Sequence, residues 1–303
     1  MKQARHILLL FTCLTITQAA LHGAPVTAGG RPDYASDRAA RAKALSQPYG
    51  WLSLTALQWL KPGITTVGSA ADNTVVLAGA PAHLVTFEVK DGKVAVIAAA
   101  ASLGFHGRPA LAGGSRMVIG AGEDDDSALA SGPLRLWVID RGGRRYLRVK
   151  DPGATTRKQF HGLRWYPPVE HFRIQARWIP DSPPHGMHVP NEIGQVTSVS
   201  VAGHVEFELE GTRQTLVPME ADKDGLWFVF RDATYRKTTY GGGRFLTTDP
   251  PSNGLDHPGT VILDFNQAVN PPCAYSPFAT CPLAPREDQL TIAIPAGEER
   301  YAE

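Results

Sequence analysis

Two stretches, VTFEVKDGKVAVI (85–97) and LRLWVIDRGGRRYLRV (134–149), constrain this chain more than any other feature. In each, strand-forming residues flank a two-residue turn, Asp91-Gly92 in the first and Gly142-Gly143 in the second. Such pairs supply the positive φ angles of a tight hairpin turn, and alternation in the flanking runs puts one set of side chains on one strand face. Both segments are therefore predicted to be antiparallel hairpins.

The same signature continues through the second half. In RIQARWI (173–179), Ile174, Ala176 and Trp178 alternate with Arg173, Gln175 and Arg177, which predicts a strand with one wet face. QVTSVSVAGHVEFELEG (195–211) is expected to be another hairpin, with Val205, Phe207 and Leu209 facing inward. GLWFVFRD (225–232) is apolar on both faces and predicts a central strand. VILDFN (261–266) and LTIAIPAG (290–297) complete the expected strands. No helical pattern alternates with them, which argues against doubly wound and (β/α)-barrel topologies. Thirty glycines and twenty-four prolines in 303 residues fit a turn-rich β protein. The expected fold class is mainly β with few helices: a β-sandwich-like domain over 49–155, then a smaller β-sheet or barrel over 156–303. FHGLRWYPPVEHF (160–172) reads as the link between them.

The N-terminus reads as an export signal over residues 1–20. Lys2, Arg5 and His6 precede the apolar core ILLLFTCLTI (7–16), and TQAA (17–20) offers small residues for cleavage. The core is too short for a membrane span, so no stable span is expected. Residues 21–48 are then a loose leader and a short helix, SDRAARAKAL (36–45), with Ser36 as cap and Asp37 at its positive end. The expected location is exported, periplasmic or extracellular. A formal charge of +1 argues against a nucleic-acid partner. The densest basic cluster, RGGRRYLR (141–148), is explained by the hairpin. Asp124, Asp125 and Asp126 lack EF-hand spacing and read as a solvated loop.

Cys273 and Cys281 lie in NPPCAYSPFATCPLAP (270–285). A structural disulfide, a metal clip and a redox pair are the three readings. The exported setting favours the disulfide. The spacing is not Cys-x-x-Cys, prolines oppose a helix, and His257 is the nearest histidine for a metal. No metal and no cofactor is expected.

The stronger ligand signal is YGGGR: Tyr240, Gly241, Gly242, Gly243 and Arg244. Glycines let backbone N–H groups approach an anion, and an arginine can clamp a carboxylate or phosphate with two parallel hydrogen bonds. No Gly-Lys-Ser follows, which excludes a nucleotide P-loop. Asp264, Asn266, Asn270 and Tyr275 are the expected polar company, the first two on one strand face. Asp232 and Thr234 end the apolar 225–232 strand. His161, Glu170 and His171 flank WYPP and are minor acid–base candidates. No Gly-x-Ser-x-Gly, His-Glu-x-x-His or Ser-x-x-Lys motif is present.

Four segments carry a resemblance: YGWLSLTALQWLKPGITTVGS (49–69), LRVKDPGATTRKQFHGLRWYP (147–167), TYGGGRFL (239–246) and LDFNQAVNPPCAYSPFATCPLAP (263–285). Together they resemble the bacterial family DUF1684, proteins of unknown function. The resemblance implies a family without an assigned reaction. GITTVGSAADNTVVL (63–77) with the following hairpin is also similar to the opening strands of forkhead-associated (FHA) β-sandwiches. Where that family carries its binding arginine this chain has Ser69, so the likeness implies the sandwich and not phosphopeptide binding.

The leading expectation is an exported cell-envelope protein that binds a small anionic ligand, or an anionic group on a polymer. Arg244 and the glycine amides would hold the charge, and Tyr240, Asn266 and Asn270 would orient the rest. The alternatives are a hydrolase of an envelope component, with Asp264 or Asp232 as general base, and a purely structural interaction module.

Overall fold

The computed structural model describes residues 32–106 and 116–301. The expected signal, residues 1–20, and the leader as far as residue 31 lie outside the described residues.

The first half is built from ten strands: Leu54–Trp59 (β1), Gly63–Gly68 (β2), Val75–Val76 (β3), Val85–Lys90 (β4), Lys93–Ala99 (β5), Gly104–Phe105 (β6), Met117–Ile119 (β7), Leu129–Ser131 (β8), Leu134–Arg141 (β9) and Arg144–Lys150 (β10). They form two five-stranded sheets, in the orders β3-β2-β4-β5-β7 and β1-β10-β9-β8-β6. Both predicted hairpins are present. Lys90 pairs with Lys93 across Asp91-Gly92, and Arg141 with Arg144 across Gly142-Gly143. All four turn residues have positive φ, between 52° and 77°. The alternation does what it should: Val85, Phe87, Val94 and Val96 of one sheet pack against Leu134, Leu136, Val138, Leu147 and Val149 of the other.

The second half has seven strands: Arg173–Pro190 (β11), Val196–Leu209 (β12), Thr212–Leu216 (β13), Glu220–Asp222 (β14), Gly225–Phe230 (β15), Arg244–Thr248 (β16) and Gly259–Asp264 (β17). They form a four-stranded sheet, β13-β12-β11-β17, and a three-stranded one, β14-β15-β16. These are open sheets, not a barrel. Trp178, Val205, Phe207, Phe228, Phe230, Leu263 and Phe265 fill the core of this half. As predicted, 225–230 is the central strand of its sheet.

Two strand expectations are corrected. Residues 196–209 are one continuous strand, not a hairpin. Gly203 is required there by packing rather than turning. A Cβ at this position would stand 2.6 Å from the indole of Trp178. The turn falls instead at Glu210 and Gly211, both with positive φ. Residues 290–297 form no strand. The carbonyls of Ile294 and Ala296 are taken by the Arg244 side chain instead of a neighbouring strand.

The halves are joined by more than the 160–172 link. The β11–β12 ribbon projects beyond its sheet, and its turn at 191–195 lands on the sandwich. Ile193 packs beside Trp137, Ile139 and Tyr146, and Gln195 Nε2 donates to the Arg141 carbonyl at 2.9 Å. A further apolar cluster joins Leu54 of β1 to Trp227, Val229, Phe245, Cys281 and Ala284. The N-terminal helix, Tyr34–Leu45 (α1), starts two residues before the expected boundary. Its cap is Asp33, which accepts from the Ser36 N–H, so the expected Ser36 cap is replaced by its neighbour's carboxylate. No helix among the described residues is long and apolar enough to cross a membrane.

Candidate functional site

The glycine bend and the cysteine loop do meet. Gly243 has a φ of 105°, and a Cβ there would lie 2.8 Å from the Phe230 carbonyl, so this position needs glycine. The Ala284 N–H donates to the Gly242 carbonyl at 3.1 Å. The Tyr240 hydroxyl lies 3.1 Å from a Glu192 carboxylate oxygen and 3.3 Å from the Cys273 carbonyl, with Glu192 supplied by the ribbon turn. Burial, reinforced by Cys273 and Glu192, pushes this phenol above its ordinary range, so it stays a proton donor.

Arg244, however, points away from that meeting. It opens β16 with its side chain inside the second module. There it pairs with Asp232, Nη2 to Oδ2 at 2.7 Å, and donates to the carbonyls of Ile294 (3.1 Å) and Ala296. Both members of the pair are 1 % exposed. Oδ1 of Asp232 accepts from the Thr234 N–H and hydroxyl and from the Ile294 N–H. The expected clamp is thus a buried, neutralised pair that ties β15 and β16 to the C-terminal segment. Asp232 has no oxygen left over for general-base work.

The polar company also goes elsewhere, under α1. Asp264 caps a 3-10 turn at Phe265–Gln267 by accepting from the Asn266 N–H and Nδ2. Its other oxygen accepts from the Tyr34 hydroxyl of α1 at 2.7 Å. Asn270 donates to Glu298, as does Tyr275. Arg41 of α1 donates to Glu298 at 2.7 Å, to the Asn270 carbonyl at 2.6 Å and to Tyr275 Oη at 3.3 Å. Burial first, then the Glu298 charge, hold the Tyr275 phenol well above its ordinary value. The expected set is therefore divided among three groups: Tyr240 at the cysteine loop, Arg244 with Asp232, and Asp264, Asn266, Asn270 and Tyr275 beneath α1.

Cys273 and Cys281 are free thiols in the structure. The two cysteines are close, with the Cys273 N–H donating to Sγ of Cys281 at 3.2 Å. The neighbouring Cys281 side chain, together with burial, pushes the Cys273 thiol up, so it is not poised as a thiolate.

A charged cluster that sequence reading missed lies where the cysteine loop faces the sandwich. Inward residues of β9 and β10 fill the core, so their alternates Trp137, Ile139, Arg141, Tyr146, Arg148 and Lys150 cover the outer face. There Arg141 and Arg148 share one carboxylate. Nη1 of Arg148 lies 2.6 Å from one oxygen of Glu123, and Arg141 donates to the other. Arg141 also donates to Thr280 Oγ1 at 2.9 Å. Arg148 is 3 % exposed, and its Nε has no hydrogen-bond partner among the described residues. Trp51 sits beneath two cations, Arg148 and Lys150, each 5.6 Å from the ring. Burial would raise the Glu123 carboxyl, but Arg148, Arg141 and Lys150 outweigh it and hold Glu123 below its ordinary range. Burial lowers Arg148, and Glu123 offsets part of that effect. The only local signal was RGGRRYLR, in which Arg148 and Tyr146 share a strand face.

No curated protein matches the chain. Among solved structures, an uncharacterized protein of Haloarcula marismortui, determined in solution by NMR, is similar at 29% identity over 47% of this chain and 78% of that one, with a TM-score of 0.39. Residues 158–299 match the family model described as "Protein of unknown function (DUF1684)". That span holds the ribbon, the glycine bend, the cysteine loop and Glu298.

Proposed function

We propose that this is an exported cell-envelope protein that binds an anionic group, a carboxylate or a phosphate, at the junction between the sandwich and the DUF1684 region. The observation that carries this reading is Arg148. It is a buried guanidinium whose Nε has no partner among the described residues, sharing a single carboxylate with Arg141. A buried donor without a partner carries a desolvation cost that a ligand oxygen would relieve. Two guanidinium groups side by side suit an oxyanion with more than one acceptor. Thr280 and the Trp51 ring supply a hydroxyl and an apolar wall beside them. Export rests on the N-terminal basic, apolar and small-residue series. In such a compartment the adjacent thiols of Cys273 and Cys281 close into a disulfide and lock the loop that faces the site.

The test is calorimetric titration of the full mature chain with oligogalacturonate and with inorganic phosphate at low salt. Wild type is expected to bind at least one of them, with affinity falling as salt rises. Arg148→Met should abolish the heat, and Arg177→Ala, exposed on the far sheet, should not change it. Absence of binding to either anion by wild type overturns the reading. The hydrolase alternative gains no support from Asp232 or Asp264, whose oxygens are engaged within the fold.

A further inference from the structure

The junction already contains an oxyanion, and it belongs to the chain. Glu123 is not on the strands that present the two arginines. It lies in the irregular segment between β7 and β8, and reaches over the outer face of β9 and β10 to place one oxygen on Arg148 and the other on Arg141. The segment is fastened just before it by the Gly122 N–H on the Val138 carbonyl at 2.9 Å, and just after it by the Trp137 indole on the Asp124 carbonyl at 2.8 Å. Among the described residues the Glu123 side chain is held only by cations, and it keeps 31 % of its surface in water. Arg148 beneath it is almost entirely enclosed, whereas Arg141 is 26 % exposed. Glu123 and Arg141 are therefore the members of the cluster that meet solvent, and Arg148 is the enclosed one.

We infer that Glu123 is an internal placeholder for the ligand: the anionic group of the bound molecule exchanges with the Glu123 carboxylate, which rotates into water while the backbone on either side stays fastened. This inference rests on the junction being the binding site. It specifies the chemistry further, because the group that takes over inherits the arrangement Glu123 uses, with one oxygen on each guanidinium. A planar carboxylate fits this directly, as on a uronic acid. A phosphate fits in the same way with two of its oxygens.

Exchange has a distinct signature, because removing the internal competitor should tighten external binding. Glu123→Ala is expected to bind oligogalacturonate about tenfold more tightly than wild type. Glu123→Gln, a neutral side chain of the same length, should fall between the two. The melting temperature of Glu123→Ala should drop in anion-free buffer and recover on adding millimolar oligogalacturonate or phosphate, with a larger rise than wild type shows. Recovery with oligogalacturonate alone would identify a carboxylate ligand, and recovery with phosphate alone a phosphate ligand. If wild type binds and Glu123→Ala binds no more tightly, the placeholder inference falls while the site stands. A melting temperature that neither anion restores would also overturn it. If neither protein binds, the junction reading itself fails.

Discussion

The Arg244 guanidinium lies 2.7 Å from the Asp232 carboxylate, with both side chains 1 % exposed, inside the second module rather than beside the glycine bend that precedes it in sequence. Removing one partner of an enclosed pair leaves a charge with no compensation, which costs about 3–5 kcal/mol. Arg244→Met is therefore expected to lower the urea midpoint severely. In whatever fraction still folds, the anion binding proposed for the junction should be unchanged. Equilibrium denaturation and calorimetry on the same preparation check both halves of this prediction.

The contacts of α1 with the second module are dominated by ion pairs and hydrogen bonds. Arg41 anchors it on Glu298, which is 1 % exposed, and Leu45 is its one buried residue. Arg41→Met should cost about 3 kcal/mol. Hydrogen exchange should then accelerate first in α1 and around Asn270–Tyr275, with the sandwich core still protected. Uniform acceleration across both halves would show that α1 is not a separable clasp.

Cys273 and Cys281 are eight positions apart, and the Cys273 N–H reaches the Cys281 sulfur at 3.2 Å. Closing a loop of this length stabilises by about 2.5 kcal/mol on the chain-entropy estimate, with loop prolines reducing the gain. Protein prepared under oxidising conditions should melt higher than the same protein in reductant, and should lose both alkylatable thiols together. The Cys273→Ser/Cys281→Ser double variant should show no such difference.

Asp288 is fully enclosed in the 3-10 turn Arg286–Asp288, where Oδ1 accepts from the Val217 N–H at 2.7 Å and Oδ2 has no partner among the described residues. Burial pushes its carboxyl well above the ordinary value, against a smaller lowering by the Val217 N–H. The folded state thus prefers the protonated acid. This contribution to stability is full below the unfolded carboxylate range, near pH 4, and is lost as pH rises towards the folded value. Asp288→Asn keeps the acceptor for Val217 and never ionises. Relative to wild type, its denaturation midpoint should be higher at pH 8 and the gap should close near pH 3. A gap independent of pH would show that Asp288 is not the group responsible.

Local chemistry was readable from the sequence wherever neighbours in the chain are neighbours in space. Asp91-Gly92 and Gly142-Gly143 turn where they should, and Val205, Phe207 and Leu209 are buried as their alternation requires. Gly203 misled because a glycine that admits an indole looks the same in sequence as a glycine that turns. Arg244 misled because its partner, Asp232, is twelve residues away on the far side of the glycine bend. The junction was beyond reach for the same reason. Glu123, Arg148 and Thr280 come from distant segments, and no short pattern joins a loop carboxylate to a strand face and a cysteine loop. RGGRRYLR was correctly read as a hairpin, and the hairpin is what aims Arg141 and Arg148 outward.

The seating of Ile193 and Gln195 on the sandwich has a consequence for any transplant of the C-terminal region. Grafted onto a foreign carrier, residues 158–299 would leave an isoleucine, an amide and the end of a long two-stranded arm hanging in water. Such a chimaera would be sticky and poorly behaved unless the new neighbour offered an aromatic seat and a free backbone acceptor at matching height.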